Sequence, residues 1–212
     1  MTSSTSATSS TTATSSRTAG TSVPVHDLLA SRWSPRGFDR SHRLDDDSLS
    51  GLLEAARWAP SANNTQPWRF LVARRGDEFF DRLFGSLASG NQAWADAASA
   101  LVLVAAETAD SAGRTRPFAL YDTGSAVAAL TVQAGAVGLH VHQMAGFDAA
   151  AVRAGFRLDP AVQPVVVLAI GRHDPLADLP APFAAREVAP RERKPLSQLL
   201  LDSNREDTLQ AA

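Results

Sequence analysis

The chain has no cysteine among its 212 residues. That excludes disulfide staples, thiolate metal sites and cysteine nucleophiles, and it fits a reducing compartment such as the cytoplasm. It has no excess of one charge either: 20 Lys and Arg stand against 22 Asp and Glu, a net charge of −2. Without a basic balance, nucleic acid is not an expected partner. No run approaches the roughly 20 apolar residues of a membrane-spanning helix, so no membrane partner is expected. The chain also lacks G-x-S-x-G, G-x-x-x-x-G-K-[ST] and H-E-x-x-H, and has no G-x-G-x-x-G after a strand. Hydrolase, nucleoside-triphosphatase and zinc-protease chemistry therefore lack their essential residues.

Residues 1–22 contain sixteen Ser or Thr and a single Arg. Such a segment buries too little apolar surface to offset its ordering entropy, so it reads as a disordered arm. It has no apolar core of a secretory signal, and its removal is expected to leave ligand binding unchanged. Residues 23–202 read as one domain, and 203–212 as a flexible tail.

Within the domain, Val25, Leu28 and Leu29 mark a short helix after Pro24, and Asp45–Asp47 lead into an amphipathic helix through Leu49, Leu52, Leu53 and Ala56. Strands are expected at Trp68–Arg74, Ala100–Ala106 and Pro164–Ile170, the last two apolar on both faces. Further helices are expected around Phe80–Leu87, over Phe118–Gly138, over Ala149–Phe156 and at Leu196–Leu201. Pro175–Pro190 reads as extended chain. The 118–138 helix carries no charge after Asp122 and is apolar all round, so it needs cover on every side. A subunit interface would supply it; a central position within one chain is the alternative. The class is α+β with a central sheet.

Four arginines frame the candidate site. Arg32, Ser34 and Arg36 lie at i, i+2 and i+4 in a segment held extended by Pro35, which puts all three on one face. Two guanidiniums and a hydroxyl there could surround phosphate oxygens, or form a solvated turn paired with the acids at 45–47. Arg191 and Arg193 lie in a second basic cluster near the end of the domain. Ser61, Asn64 and Gln66 belong to a loop rich in amides, able to meet the polar edge of a heterocycle or merely to close its own turn. Asn91 is a lone turn candidate. Ala145-Gly146 offers close backbone approach to a ligand, or simply a bend between helices. His140 and His142 alternate on a strand and lack the carboxylates that would make them a metal pair.

In this order the pieces resemble the nitroreductase family of FMN-dependent flavoenzymes. The resemblance rests on Arg32-x-Ser34-x-Arg36, on Ala59-Pro60-Ser61-x-x-Asn64-x-Gln66-Pro67-Trp68, on Gly90-Asn91, on Asp122-x-Gly124, on Gly138-Leu139, on Gly146-Phe147-Asp148 and on the pair Arg191 and Arg193. It implies an antiparallel-rich sheet flanked by helices and an intertwined homodimer with FMN at its interface. Arg32, Ser34, Arg191 and Arg193 would hold the phosphate, with Arg36 on the phosphate, ribityl or pyrimidine side. Ser61, Asn64 and Gln66 would meet the ribityl chain or ring, Asn91 the pyrimidine edge, and the backbone at Ala145 and Gly146 the reactive N5. NAD(P)H would deliver hydride to N5 and a small electron-poor acceptor, such as a nitro compound or quinone, would remove it in a ping-pong cycle. A flavin-binding protein for storage or sensing is the alternative. Trp94 stands where some members carry a lysine near the ring.

Overall fold

The computed structural model describes residues 17–201, so residues 1–16 of the expected arm and the expected tail at 203–212 lie outside it. In chain order the elements are α1 (Asp27–Ser31), α2 (Asp46–Arg57), β1 (Trp68–Arg74), α3 (Glu78–Gly85), α4 (Ser89–Ala95), β2 (Ala100–Glu107), α5 (Ala119–Ala136), β3 (His140–Met144), α6 (Ala149–Gly155), β4 (Val162–Gly171) and α7 (Ala181–Val188). Single 3₁₀ turns occur at Ala62–Asn64 and Leu196–Gln198, the second where a terminal helix was expected.

The four strands form one antiparallel sheet in the order β1-β2-β4-β3. Its two central strands are the two apolar runs, because a strand without polar alternation needs both faces covered. Alternate residues of β2 serve opposite cores. Leu101 and Leu103 join Phe80, Leu83, Trp94 and Val152 from α3, α4 and α6. Ala100, Val102 and Val104 join Leu52 and Ala56 of α2 and Val127 and Leu130 of α5. The register of β2 against β4 shifts between Val104 and Ala105, where Pro164, with no N–H to donate, faces Ala105.

Local chemistry sets the helix starts. Asp45 caps α2 by accepting the Ser48 N–H at 2.7 Å, Asp77 caps α3 by accepting that of Phe80 at 2.6 Å, and Asp148 caps α6 through Ala150 and Ala151, both at 2.9 Å. Two helices differ from the sequence reading. Ser89–Ala95 looked like a turn around Gly90 but forms α4, anchored by the buried Trp94 and Ala95. Pro175–Pro190 was expected to be extended, yet α7 lies within it. Pro180 and Pro182 sit at its cap and first turn, where a missing N–H costs nothing. The long helix α5 buries Ala126, Val127, Leu130 and Ala134 against the sheet but leaves Leu120, Tyr121, Gly124 and Ala128 exposed. The described residues cover one side of it.

Candidate functional site

The segment after α1 runs extended, with Arg32 at φ −63° and ψ 127°. Trp33, Pro35 and Gly37 are buried, and Arg32, Ser34 and Arg36 are half-buried on the alternate face. The buried side is fixed at several points. The Trp33 ring packs edge-on to His173 with centroids 5.0 Å apart, and the Pro35 carbonyl accepts from His142 Nδ1 at 2.8 Å. Glu187 of α7 completes the clamp, its Oε1 accepting the Arg36 N–H at 2.8 Å and its Oε2 the Gly37 N–H at 3.4 Å. Burial would push the Glu187 carboxyl up, but His173 and these two amides hold it below its usual range. Burial, reinforced by the nearby Arg36 cation and opposed by the Pro35 carbonyl, pushes His142 down to about 4. The histidine is neutral at pH 7 with its proton on Nδ1, donated to Pro35.

The other basic cluster faces this segment. Burial lowers the Arg32 guanidinium from its usual value and Arg193 lowers it further; burial also lowers Arg191, aided by Arg32, Arg193 and Arg17. Arg36 is lowered by burial and by Arg186 and Arg17, against the opposing pull of Glu187. Arg191 is pinned by Nη1, which donates to the Arg17 and Ala30 carbonyls at 2.6 and 2.7 Å. Among the described residues, Arg32 reaches only the Ser34 hydroxyl, at a long 3.4 Å, and Arg193 only the Glu192 carbonyl, at 2.7 Å. Arg40, Arg57, Arg69, Arg74, Arg114 and Arg116 all pair with carboxylates. Among the described residues, no carboxylate pairs with the side chain of Arg17, Arg32, Arg36, Arg191 or Arg193. The acids at 45–47 are not their partners: Asp45 caps α2 and Asp46 pairs with Arg74. Arg32 and Arg191 thus sit among cations that disfavour their charge, with no carboxylate paired to them among the described residues, a chemistry suited to an anion.

Arg17 was not among the sequence candidates. Its only signal was its solitude, the single charge in a Ser/Thr segment. Residues 17–22 fall in the expected arm, yet Arg17 lies over the Trp33 ring, 4.1 Å from its centroid, and the Ala19 N–H donates to Ala30 at 2.8 Å.

Asn91, on α4, meets Gly146 beyond β3. Its Nδ2 donates to the Gly146 carbonyl at 2.9 Å, beside the Ala88 N–H at the same distance. A Cβ on Gly146 would sit 3.2 Å from Asn91 Nδ2 and 3.3 Å from Ala88 Cβ, so a side chain there would press its neighbours back by a few tenths of an ångström. Ala145 and Gly146 are themselves exposed, leaving their backbone open to a ligand. One turn beyond Asn91, Trp94 is buried against Phe38 and His142, and the Arg36 guanidinium lies 5.9 Å from its ring centroid. Trp94 is therefore a core residue, and the cation over this helix is Arg36.

The amide loop stands apart. Asn63, Asn64 and Gln66 take φ of 52°, 54° and 46°, a left-handed run that Asn tolerates and Gln rarely adopts. The buried Asp122 at the start of α5 holds the loop by accepting the Ala62 N–H at 3.0 Å, a role sequence reading missed. The Ser61 hydroxyl accepts the Gln66 N–H at 3.1 Å and the Gln66 side chain turns back to the Asn64 carbonyl at 3.2 Å, so both serve the turn. The Asn63 and Asn64 side chains are exposed, and Asn63 lines a cavity of about 510 Å³ together with Arg114, Arg116 and Phe118. Thus the structure brings Arg32, Ser34, Arg36, Arg191 and Arg193 together, and joins Arg36 to Asn91 and Gly146 through Trp94. Among the described residues no hydrogen bond or ion pair links the loop at 61–66 to that group.

The crystal structure of an oxidoreductase containing FMN matches this fold with a TM-score of 0.80 and 34% identity, over 86% of this chain and 93% of that one. An uncharacterized 15.4 kDa protein from the ask 5' region of Mycolicibacterium smegmatis is 41% identical over 139 residues, 62% of this chain and 92% of that protein. The major NAD(P)H-flavin oxidoreductase of Aliivibrio fischeri is 35% identical over 68 residues, which is 32% of this chain and 30% of that enzyme. A model of the nitroreductase family matches residues 29–93 and 83–172. The chain belongs to the nitroreductase family.

Proposed function

We propose that the protein is an FMN-dependent oxidoreductase that takes hydride from NAD(P)H and delivers it to a small electron-poor acceptor, such as a nitro compound or a quinone, by a ping-pong cycle in one pocket. The observation that carries the reading is the gathering of Arg17, Arg32, Arg191 and Arg193, whose side chains pair with no carboxylate among the described residues. A phosphate dianion neutralises such a group, and the Ser34 hydroxyl adds a donor. The fit extends beyond the phosphate: Asn91 lies one helical turn from Trp94, whose ring is 5.9 Å from the Arg36 guanidinium, and holds the exposed backbone at Gly146.

FMN, when bound, supplies two-electron hydride chemistry that no side chain here provides. The chain's own residues do the rest. Arg32, Ser34, Arg191 and Arg193 bind the phosphate. Arg36, half-buried and held by Glu187 through its backbone, places a fixed positive charge where negative charge grows on reduction. Gly146 lets the backbone come close, and Asn91 keeps that backbone in place.

A second copy of the chain completes the site in this reading. The exposed apolar side of α5, with Leu120 and Tyr121, would bury against its counterpart, and the free amides of Asn63 and Asn64 would reach the ring across the dimer. No helix among the described residues is long and apolar enough to cross a membrane, in keeping with a cytoplasmic enzyme. The deciding experiment is a visible spectrum of the purified protein before and after anaerobic NAD(P)H. A flavin spectrum that bleaches, then returns with a quinone, is expected. A bound flavin that stays oxidised would instead indicate storage or sensing, and a protein that takes up no FMN would end the proposal.

A further inference from the structure

We propose that residues 17–19 form a strap that orients the anion site, with Arg17 as its positioning residue. The chain would need this segment for phosphate recognition, contrary to the dispensability its composition implied. Three contacts carry the inference. The Arg17 carbonyl is one of the two acceptors that hold Arg191 Nη1, at 2.6 Å. The Arg17 guanidinium caps the C-terminus of α7, donating through Nη1 to the Arg186 carbonyl at 3.3 Å and through Nη2 to that of Ala189 at 3.0 Å. A cation there meets carbonyls that have no helical partner and the negative end of the helix dipole. The same guanidinium lies on Trp33, the residue between Arg32 and Ser34.

The strap therefore ties both halves of the site together. Behind it stands α7, whose Glu187 clamps the backbone of Arg36 and Gly37. Ahead of it runs the segment to Arg191 and Arg193. Ala19 anchors the strap by donating to Ala30, the carbonyl that also receives Arg191. With Nη1 of Arg191 occupied by these two carbonyls, its other guanidinium nitrogens are left for an anion.

The ligand in this inference rests on the FMN reading, but the ordering of α7 and Arg191 does not, so two measurements separate them. In the full-length protein without added ligand, Arg17→Ala is expected to speed hydrogen exchange over residues 184–193 while leaving β2 and β4 unchanged. In titrations with FMN and with riboflavin, the same variant is expected to weaken FMN about tenfold, the worth of one charge-assisted hydrogen bond, and to leave riboflavin unaffected. A merely structural role would weaken both flavins alike. Deleting residues 2–15, which retains Arg17, is expected to change neither reading, and an effect equal to that of Arg17→Ala would overturn the assignment. Unchanged exchange and an unchanged FMN-to-riboflavin ratio in Arg17→Ala would also overturn it. If the wild-type protein binds no FMN, the functional reading fails and exchange alone decides whether the strap orders α7.

Discussion

Arg32→Ala separates binding from stability by sign. In the folded chain Arg32 is half-buried and, among the described residues, has no carboxylate partner and meets only Ser34, 3.4 Å away. Burial and the neighbouring Arg193 both disfavour its charge, so this cation is not one that folding needs. Truncation removes that penalty, and the stability of the ligand-free protein is expected to hold or rise slightly. The same truncation removes a charge-assisted contact to phosphate, worth about 1.5–3 kcal/mol, or about 10- to 150-fold in affinity. Fluorescence titration with FMN and riboflavin, repeated at two salt concentrations, reads the effect. FMN affinity should fall by that factor and lose part of its salt dependence, whereas riboflavin, which has no phosphate, should bind as before. Equal weakening of both flavins, or an unchanged FMN dissociation constant, would refute the placement of phosphate at Arg32.

Three further perturbations probe how the site is held. Gly37→Ala puts a Cβ 2.7 Å from the Asp174 carbonyl oxygen and 3.0 Å from Ala177 Cβ, so the backbone must shift. The cost should be about 1–3 kcal/mol in chemical denaturation, with weaker FMN binding because Arg36 moves too; wild-type stability would show that the segment has slack. Asp122→Ala leaves the half-buried Ala62 N–H without this acceptor and is expected to destabilise by about 1 kcal/mol, with faster exchange in the loop at 61–66. Protection of that loop at the wild-type level would disprove its dependence on Asp122. Finally, the neutral His142 makes stability depend on pH. Its imidazole is pushed from an ordinary 6.5 to about 4, so between those values the unfolded chain takes up a proton that the fold refuses. Its contribution is intact above about pH 6.5 and declines as pH falls toward 4, by on the order of 3 kcal/mol in all. His142→Gln should flatten that decline in urea midpoints measured from pH 7 to 4.5, and parallel curves for the two proteins would count against it.

Much of the fold was legible because its determinants are local. Trp68–Arg74 is a strand with the expected bounds, and Ala100–Glu107 and Val162–Gly171 lie in the sheet's centre, because uninterrupted apolar runs of that length need two covered faces. Asp45 announced α2 through its own side chain. The alternation of Arg32, Ser34 and Arg36 followed from the geometry of an extended chain, and burial alternates as that geometry requires. Where local signals were ambiguous the reading failed. Prolines that could have marked extended chain instead begin α7, and a Gly90-Asn91 turn signal was overruled by Trp94 and Ala95 entering the core.

By itself the sequence determined the residue types that meet an anion, the period of each strand and the family order of the motifs. Tertiary structure alone decided which charges remain uncompensated, because pairing depends on neighbours in space: Asp46 goes to Arg74 while Arg32 and Arg191 face one another. It also placed Glu187, Asp122 and Arg17 behind the candidate site. Each acts through a hydrogen bond spanning at least 60 residues, a separation over which composition and periodicity carry no information. The loop at 61–66 and the arginines, by contrast, have no hydrogen bond or ion pair between them among the described residues, because the folded sheet carries them on separate elements.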